Sequence, residues 1–183
     1  MYARVLHGLL TSVVLATALA VTSNPAVSQV STPDTEGTIV IAVRHAERAD
    51  DGAERAARDP ALSEVGSDRA RCLARTLEHA GVTRVFSTDY VRTRSTARPV
   101  AEALGLEVEG YDPRALGTFA DVLRDAGGVV VVVGHSNTTP ALVDALGGES
   151  VSPIDEHEYD RLYTVFLGDG GVRSTLTRYC PAG

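Results

Sequence analysis

The stretch VVVVVGHSNTTP, residues 129–140, predicts the centre of the fold. Five consecutive valines between Gly128 and Gly134 are typical of a short strand that is buried on both faces. The dipeptide Thr139-Pro140 then predicts the start of a helix, with Pro140 at its first position. A fully buried strand that leads directly into a helix favours a parallel sheet covered by helices.

The rest of the chain repeats this alternation. After Ser63, an N-cap residue, Val65, Leu73 and Leu77 recur at helical spacing as far as Gly81. We therefore expect an α/β fold, a three-layer sandwich whose central sheet is mostly parallel and has helices on both faces. The other predicted elements are strands at 38–43, 82–87 and 106–111, helices at 93–104 and 116–126, and a hairpin of residues 163–167 and 172–179.

The amino-terminal segment is typical of a secretory signal peptide. Arg4 precedes an apolar run at residues 9–21, and cleavage is expected after Ala20 or Ser28. An uncleaved anchor is the alternative, although the run is short for a bilayer span. We expect a signal peptide at 1–28, a flexible leader at 29–37 and one domain at 38–183. The protein would then be exported, periplasmic or extracellular, without stable membrane association after cleavage.

Composition excludes several classes of function. All 17 basic residues are arginine, which excludes a P-loop lysine or a Schiff base. Removing residues 1–28 deletes Arg4 and no acid, so the mature chain carries 16 basic and 24 acidic residues, a net charge of −8. Such a chain is a poor general binder of nucleic acid. Cys72 and Cys180 could form a disulfide or remain two buried thiols, because pairing depends on geometry that a sequence does not give.

Three polar clusters follow predicted strands, and the carboxyl ends of parallel strands share one edge of a sheet. They are Arg44-His45, STDYVRTR at 87–94, and Gly134-His135-Ser136-Asn137. Guanidinium groups bind phosphate oxygens bidentately, and a neutral imidazole is a nucleophile near pH 7. A second imidazole in its charged form would stabilise negative charge on a phosphoryl group. This set predicts attack on a phosphate monoester by a histidine, without a metal or another cofactor.

Four segments resemble motifs of the histidine phosphatase superfamily, also called phosphoglycerate-mutase-like. They are VRHAE, DPALSEVGSDRA, FSTDYVRTRSTARPVA and VVVVVGHSNTTP, at 43–47, 59–70, 86–101 and 129–140. The resemblance implies the phosphoglycerate-mutase-like fold, with His45 as the nucleophile and Arg44 and Arg92 as phosphate ligands. It makes His135 the second histidine of the pocket and leaves Arg94 as a neighbour of Arg92.

Three carboxyl groups are candidates for the acid that protonates the leaving group. In many members of this superfamily it follows the third strand, which here reads EVEGYDP, so Asp112 is the first candidate and Glu109 the second. Glu47, beside the nucleophile, is the third. The asparagine that mutases carry after the first motif is replaced by Asp50-Asp51.

The cap insertions of mutases and phytases are also missing, so we expect an open site and no mutase activity. The substrate would be a small phosphate ester or a phosphorylated protein, and the oligomeric state stays open.

Two other functions remain as alternatives. The protein could bind a phosphorylated ligand without hydrolysing it. Gly-His-Ser-Asn-Thr after a strand also resembles the nucleophile elbow of a serine hydrolase, with Ser136 as nucleophile and His157 downstream. That pattern lacks its final glycine, since Thr138 stands there. In a phosphatase, Ser136 and Asn137 would either donate to the phosphate or cap the following helix.

Overall fold

The structure, a computed structural model, describes residues 37–50, 58–149 and 152–180. The predicted signal peptide and most of the leader lie outside these residues. The described part forms one six-stranded sheet and four helices, none of them long and apolar enough to cross a membrane. The strands are β1 (Gly37–Arg44), β2 (Val82–Ser87), β3 (Val108–Gly110), β4 (Gly128–Gly134), β5 (Arg161–Gly168) and β6 (Gly171–Arg178). The helices are α1 (Glu64–Leu77), α2 (Val91–Leu104), α3 (Leu116–Arg124) and α4 (Thr138–Ala145).

The strand order is β3-β2-β4-β1-β5-β6, and the first four strands are parallel. β5 and β6 form the predicted antiparallel hairpin, and β5 pairs with β1. Arg44 lies opposite Gly134, and Ser87 lies opposite Val133. The three strands that precede the polar clusters therefore end at the same level, so the clusters converge at one edge of the sheet, as predicted.

Helices cover both faces of the sheet, which confirms the predicted sandwich. Leu73 and Leu77 of α1 and Val100 of α2 pack on one face, and Leu123 of α3 and Leu142 of α4 pack on the other. The valines of β4 divide between the two cores: Val130 and Val132 on one side, and Val131 and Val133 on the other. Each of these four side chains is at most 1% exposed, as expected for a strand buried on both faces.

The prediction that Val65 belongs to the buried face of α1 is wrong, because its side chain is 60% exposed. Ser63 does cap α1, with its hydroxyl accepting from the amide of Gly66 at 3.0 Å. At this end of the helix, the buried positions are Gly66 and Arg69. Both contact Glu47, in the segment that follows β1, so no space is left there for a large apolar side chain.

Several predicted boundaries differ from the structure by a few residues. α2 begins at Val91 instead of residue 93, and β3 is limited to Val108–Gly110. α4 begins at Thr138, so Pro140 is its third residue and not its first. A proline is tolerated there because the amide groups of the first helical turn have no acceptors within the helix.

A test of the packing between α1 and the segment after β1 is the substitution Gly66→Ala. A Cβ on Gly66 would lie 2.2 Å from the carbonyl oxygen of Glu47, a backbone atom that moves only with its segment. We expect a loss of about 1–3 kcal/mol in the free energy of unfolding, measured by urea denaturation. The matched control is Gly117→Ala in α3, where a Cβ meets no atom within 4 Å and a gain of up to about 1 kcal/mol is expected. Equal effects of the two substitutions would contradict this packing.

Cys72 and Cys180 form a disulfide, which resolves the alternative that the sequence left open. Their Cα atoms are 6.3 Å apart, within the range that a disulfide spans. The bridge attaches the segment after β6 to α1, across a separation of 108 residues. Beside it, the carbonyl oxygen of Cys180 accepts a hydrogen bond from Nη1 of Arg69 at 2.6 Å.

Candidate active site

A cavity of about 610 Å³ lies at the edge of the sheet where β1 and β4 end. Its wall contains four of the predicted site residues from the two strand ends, namely Arg44, His45, His135 and Ser136, together with Arg92 from α2. The prediction that these groups converge is therefore confirmed by the geometry. The other lining residues are Arg48, Tyr90, Pro113, Arg114, Asn137, Thr138, Ile154 and Glu156.

His45 is held in one orientation by main-chain contacts. Its amide donates to the carbonyl oxygen of Gly134 at 2.9 Å, and its ring Nδ1 lies 2.8 Å from the carbonyl oxygen of Ala46. Because a carbonyl only accepts, Nδ1 carries the proton and the lone pair of the neutral ring is on Nε2. Burial, with the nearby Arg44 and Arg92 guanidinium groups, lowers the pKa of His45 to about 3. The ring is therefore neutral at pH 7, as a nucleophile requires.

His135 belongs to a chain of side-chain hydrogen bonds. Its Nδ1 is 3.4 Å from Nη2 of Arg92, which can only donate, so Nε2 carries the proton. Nε2 donates to the hydroxyl of Thr88 at 2.9 Å, and Thr88 donates to the hydroxyl of Thr93. Burial and the charges of Arg92 and Arg44 lower the pKa of His135 to about 4. The expectation of a charged second imidazole therefore does not hold in this structure, because a pKa of about 4 leaves the His135 ring neutral at pH 7.

Arg44 is 5% exposed and is oriented by the segment before β5. Its Nη1 donates to the carbonyl oxygens of Asp155, Glu156 and Glu158 at 2.8–2.9 Å. The guanidinium carbon also lies 4.0 Å from the centre of the Tyr159 ring. Three carbonyls and one aromatic face fix the plane of the guanidinium, so Arg44 presents a preorganised cation to the pocket.

The structure separates the two arginines of the second motif. Arg92 lines the pocket, where its guanidinium carbon lies 4.4 Å from the Tyr90 ring centre and its Nη1 lies 3.2 Å from Asp59. Arg94 instead pairs with Asp89 at 3.6 Å and lies outside the pocket. Of the two, Arg92 is the one placed to meet a phosphate.

None of the three carboxyl groups predicted as proton donors lines the pocket. Asp112 accepts two side-chain hydrogen bonds from Arg114 at 3.0 Å, and these hold its pKa below the usual value. Glu109 is paired with Arg84, which likewise lowers the pKa of Glu109. Glu47 binds Arg69 at 2.7–3.0 Å.

An acid catalyst benefits from a raised pKa, so the lowered pKa values of Asp112 and Glu109 do not favour these two groups as they stand. In the described part of the chain, the carboxyl that lines the pocket is that of Glu156, with a 73% exposed side chain, 3.9 Å from Arg48.

Ser136 and Asn137 both line the pocket at the start of α4. Asn137 is the residue before the helix, but its side chain makes no capping hydrogen bond. The hydroxyl of Thr138 instead accepts from the amide of His135 at 2.9 Å. Capping therefore does not explain Asn137, and both side chains are placed to contact a ligand.

Sequence reasoning missed several residues of the site. Thr88 and Thr93 were inside the quoted second motif, where their position after β2 was a usable signal. Tyr90 was in the same motif, and its ring packs edge-on against His135 at 5.0 Å. Arg48 and Tyr159 could not be identified from the sequence, because loops outside the helices and strands bring them to the site.

The lowered pKa values of the two histidines predict a pH dependence of stability. In the unfolded chain both titrate near 6.5, but in the folded protein near 3 and 4, so the unfolded state binds more protons between these limits. The stabilisation from the neutral rings is complete above pH 6.5 and is lost as the pH falls towards 4. We expect the free energy of unfolding to drop by about 1–2 kcal/mol per histidine at pH 5.

Urea denaturation at pH 6.5 and pH 5 measures this drop. The variant His135→Gln should show a smaller drop than the wild type. Glu158, whose pKa is lowered to about 2, contributes only below about pH 4.5 and does not interfere. Identical stability of the wild type at the two pH values would show that the histidines are not held neutral.

Comparison with known proteins matches part of the chain to one family. Residues 40–113 match the model of the Histidine phosphatase superfamily (branch 1). A probable phosphoglycerate mutase GpmB of Serratia proteamaculans is 38% identical over 88 residues, which are 47% of this chain and 40% of that protein. The counterpart from Yersinia pestis is 36% identical over 77 residues, 41% of this chain and 35% of that protein. The chain thus spans about two fifths of the length of these curated relatives.

Solved structures with low sequence identity share the fold. The protein histidine phosphatase SixA, complexed with tungstate, superposes with a TM-score of 0.59 at 21% identity, over 77% of this chain and 95% of that one. A mycobacterial glucosyl-3-phosphoglycerate phosphatase, Rv2419c, gives a TM-score of 0.59 at 15% identity, over 79% and 99%. The residues that match the family model include most of β1 and all of α1, β2, α2 and β3, and therefore include His45 and Arg92. The similarity to the histidine phosphatase superfamily thus lies in residues 40–113, and the solved structures show that the fold is shared.

Proposed function

We propose that the protein is a metal-independent phosphomonoester hydrolase that works through a phosphohistidine intermediate. The proposal rests on the protonation state and the orientation of His45. Its Nδ1 is bound to a main-chain carbonyl, its ring is neutral, and it lines a pocket with Arg44, Arg92 and His135. A neutral, oriented imidazole beside two guanidinium groups suits attack on a phosphoryl dianion.

The proposed reaction has two steps. Nε2 of His45 attacks phosphorus, the bond to the ester oxygen breaks, and a carboxyl group gives that oxygen a proton. The resulting carboxylate then takes a proton from a water molecule, which attacks the phosphohistidine and releases inorganic phosphate and neutral His45. Arg44 and Arg92 bind the phosphoryl oxygens in both steps, and Ser136 and Asn137 add hydrogen bonds. His135 binds the same group, and a bound dianion would oppose the effect of the arginines on the pKa of His135.

The proposed proton donor is one of two carboxyl groups. Asp112 is kept as the predicted donor, although it must first leave Arg114. Glu156 is a second candidate because it lines the pocket. Rates for aryl phosphates with leaving groups of different acidity distinguish the two, since loss of the donor slows poor leaving groups most. We expect this selective loss for Asp112→Asn or for Glu156→Gln, and its absence in both would exclude the pair.

Hydrolysis is favoured over mutase activity by the exposure of the pocket wall. The side chains of Glu156 and Arg114 are 73% and 88% exposed, so water reaches the site of a phosphohistidine. A mutase must instead retain its intermediate in an enclosed pocket. A phosphate-binding protein without turnover stays the second candidate, because none of the predicted carboxyl groups lines the cavity. The serine hydrolase alternative is not favoured, since His157 lines a different cavity from Ser136.

The decisive experiment is hydrolysis of p-nitrophenyl phosphate in excess EDTA. We expect full activity with EDTA, and competitive inhibition by orthovanadate. Loss of activity with the chelator would contradict the metal-independent mechanism. Absence of hydrolysis, with orthophosphate still raising the melting temperature, would instead favour the binding protein.

Export to an oxidising compartment, periplasmic or extracellular, is part of the same proposal. It is supported by the apolar segment at 9–21 and by the disulfide between Cys72 and Cys180, since structural disulfides persist in such compartments. Mass measurement of the protein recovered from culture medium or periplasm tests it. A mass that still includes residues 1–20 would exclude both expected cleavage sites.

A further inference from the structure

A second cavity adjoins the candidate active site. It has a volume of about 770 Å³ and shares Tyr90, Pro113 and Arg114 with the catalytic pocket. These three residues therefore form a ridge between the two cavities. A substrate that is bound by its phosphate in the catalytic pocket would extend across this ridge. The remaining lining residues are Asp89, Arg94, Gly110, Tyr111 and Asp112.

The ridge and the far wall are fixed in position. The Tyr90 ring lies 4.4 Å from the guanidinium carbon of Arg92 and 5.0 Å from the centre of the His135 ring. Tyr111 stacks on Phe119 with ring centres 4.3 Å apart and planes 5° from parallel. Two preoriented aromatic rings offer apolar contact area at a low cost in conformational entropy.

The charges of the second cavity are balanced. Asp89 pairs with Arg94 at 3.6 Å, and Asp112 pairs with Arg114 at 3.0 Å. With each carboxylate paired to an arginine, the cavity wall carries no net charge to attract a leaving group of strong charge, such as a second phosphate. Paired charges beside aromatic rings suit a chain of main-chain amides with mixed side chains, which has donors, acceptors and apolar groups along its length.

We propose that this cavity is the leaving-group subsite and that it takes the polypeptide on either side of a phosphorylated residue. The inference rests on the proposed phosphatase activity and gives its substrate class. The two adjoining cavities provide more room than a small ester fills, and their continuity places the peptide next to the phosphoryl group. Tyr90 then separates the phosphate pocket from the peptide subsite.

Gly110 allows a steric test that leaves the catalytic groups untouched. It lines only the second of the two cavities, and a Cβ at this position meets no atom within 4 Å. Gly110→Phe should therefore fill part of the subsite without strain. Gly117→Phe is the matched control, because Gly117 also has open space and lines neither cavity.

The assay compares a phosphoserine pentapeptide with alanine flanks against free O-phosphoserine, which has the same scissile bond. For the wild type we expect kcat/KM to be at least tenfold higher for the peptide. Gly110→Phe should reduce this preference at least fivefold and leave hydrolysis of p-nitrophenyl phosphate within twofold of the wild type. Gly117→Phe should retain the preference, and thermal denaturation of all three proteins checks that they are folded.

Two results would overturn the proposal of a peptide subsite. One is a wild type that hydrolyses p-nitrophenyl phosphate but shows less than a twofold preference for the peptide, which leaves the phosphatase proposal standing. The other is a Gly110→Phe variant that keeps the preference or loses activity equally on all substrates. A wild type that hydrolyses none of them would overturn the phosphatase proposal itself, and the subsite with it.

Discussion

Replacing His45 with alanine is expected to lower kcat for p-nitrophenyl phosphate by about 10³-fold or more, because the substitution removes the nucleophile. Binding should survive, since Arg44, Arg92 and His135 still line the pocket. Orthovanadate should therefore raise the melting temperature of the variant as it raises that of the wild type. The combination of lost turnover and kept anion binding separates a catalytic role from a structural one.

The matched control for this variant is His79→Ala. His79 is exposed near the end of α1 and lines neither cavity of the proposed site, so its loss should change kcat by less than twofold. Rapid mixing with labelled substrate, followed by alkaline denaturation, should trap a phosphohistidine in the wild type and in His79→Ala but not in His45→Ala. Label on another residue, or undiminished turnover in His45→Ala, would contradict the assignment of the nucleophile.

The sheet was predictable because its signals are local. The five valines of β4 and the polar residues that follow β1 and β4 set which strands are buried and where they end. Strand order among parallel strands was not predicted, since it depends on contacts between residues far apart in sequence. Val65 shows the limit of periodicity: it recurs with Leu73 and Leu77, but at that end of α1 the position packed against the loop after β1 is Gly66, and Val65 is exposed.

The site residues also divide into those that a local motif predicts and those whose properties depend on distant parts of the chain. Arg44, His45, Arg92 and His135 follow strand ends or lie in a motif with fixed spacing, and the structure brings them together. The charge state of His135 could not be predicted from the sequence, because it depends on burial and on Arg92 and Arg44, which belong to other elements.

The proton donor could not be predicted from the sequence for a related reason. Whether a carboxyl faces the pocket depends on its nearest cation. Glu109 and Glu47 each pair with an arginine outside the pocket, and Asp112 pairs with Arg114 on the pocket wall.

Removal of the disulfide is expected to lower the stability of the fold, and this is the second large effect that we predict. The variant Cys72→Ser with Cys180→Ser should lose about 2–5 kcal/mol in the free energy of unfolding, because the bridge restricts an unfolded chain over a separation of 108 residues. Denaturation of the wild type with and without a reductant should show the same loss. The double variant should not respond to the reductant, which makes it the control for unspecific effects.

The disulfide also bears on the nucleophile through a chain of contacts. Arg69, 8% exposed, donates to the carbonyl oxygen of Cys180 and to both carboxylate oxygens of Glu47, two residues after His45. Loss of the bridge frees the segment after β6 and removes one fixed partner of Arg69. We therefore expect kcat of the double serine variant to fall by a few fold at a temperature where it is fully folded. Unchanged kcat with reduced stability would confine the disulfide to a structural role, and unchanged stability would contradict the predicted restriction of the unfolded chain.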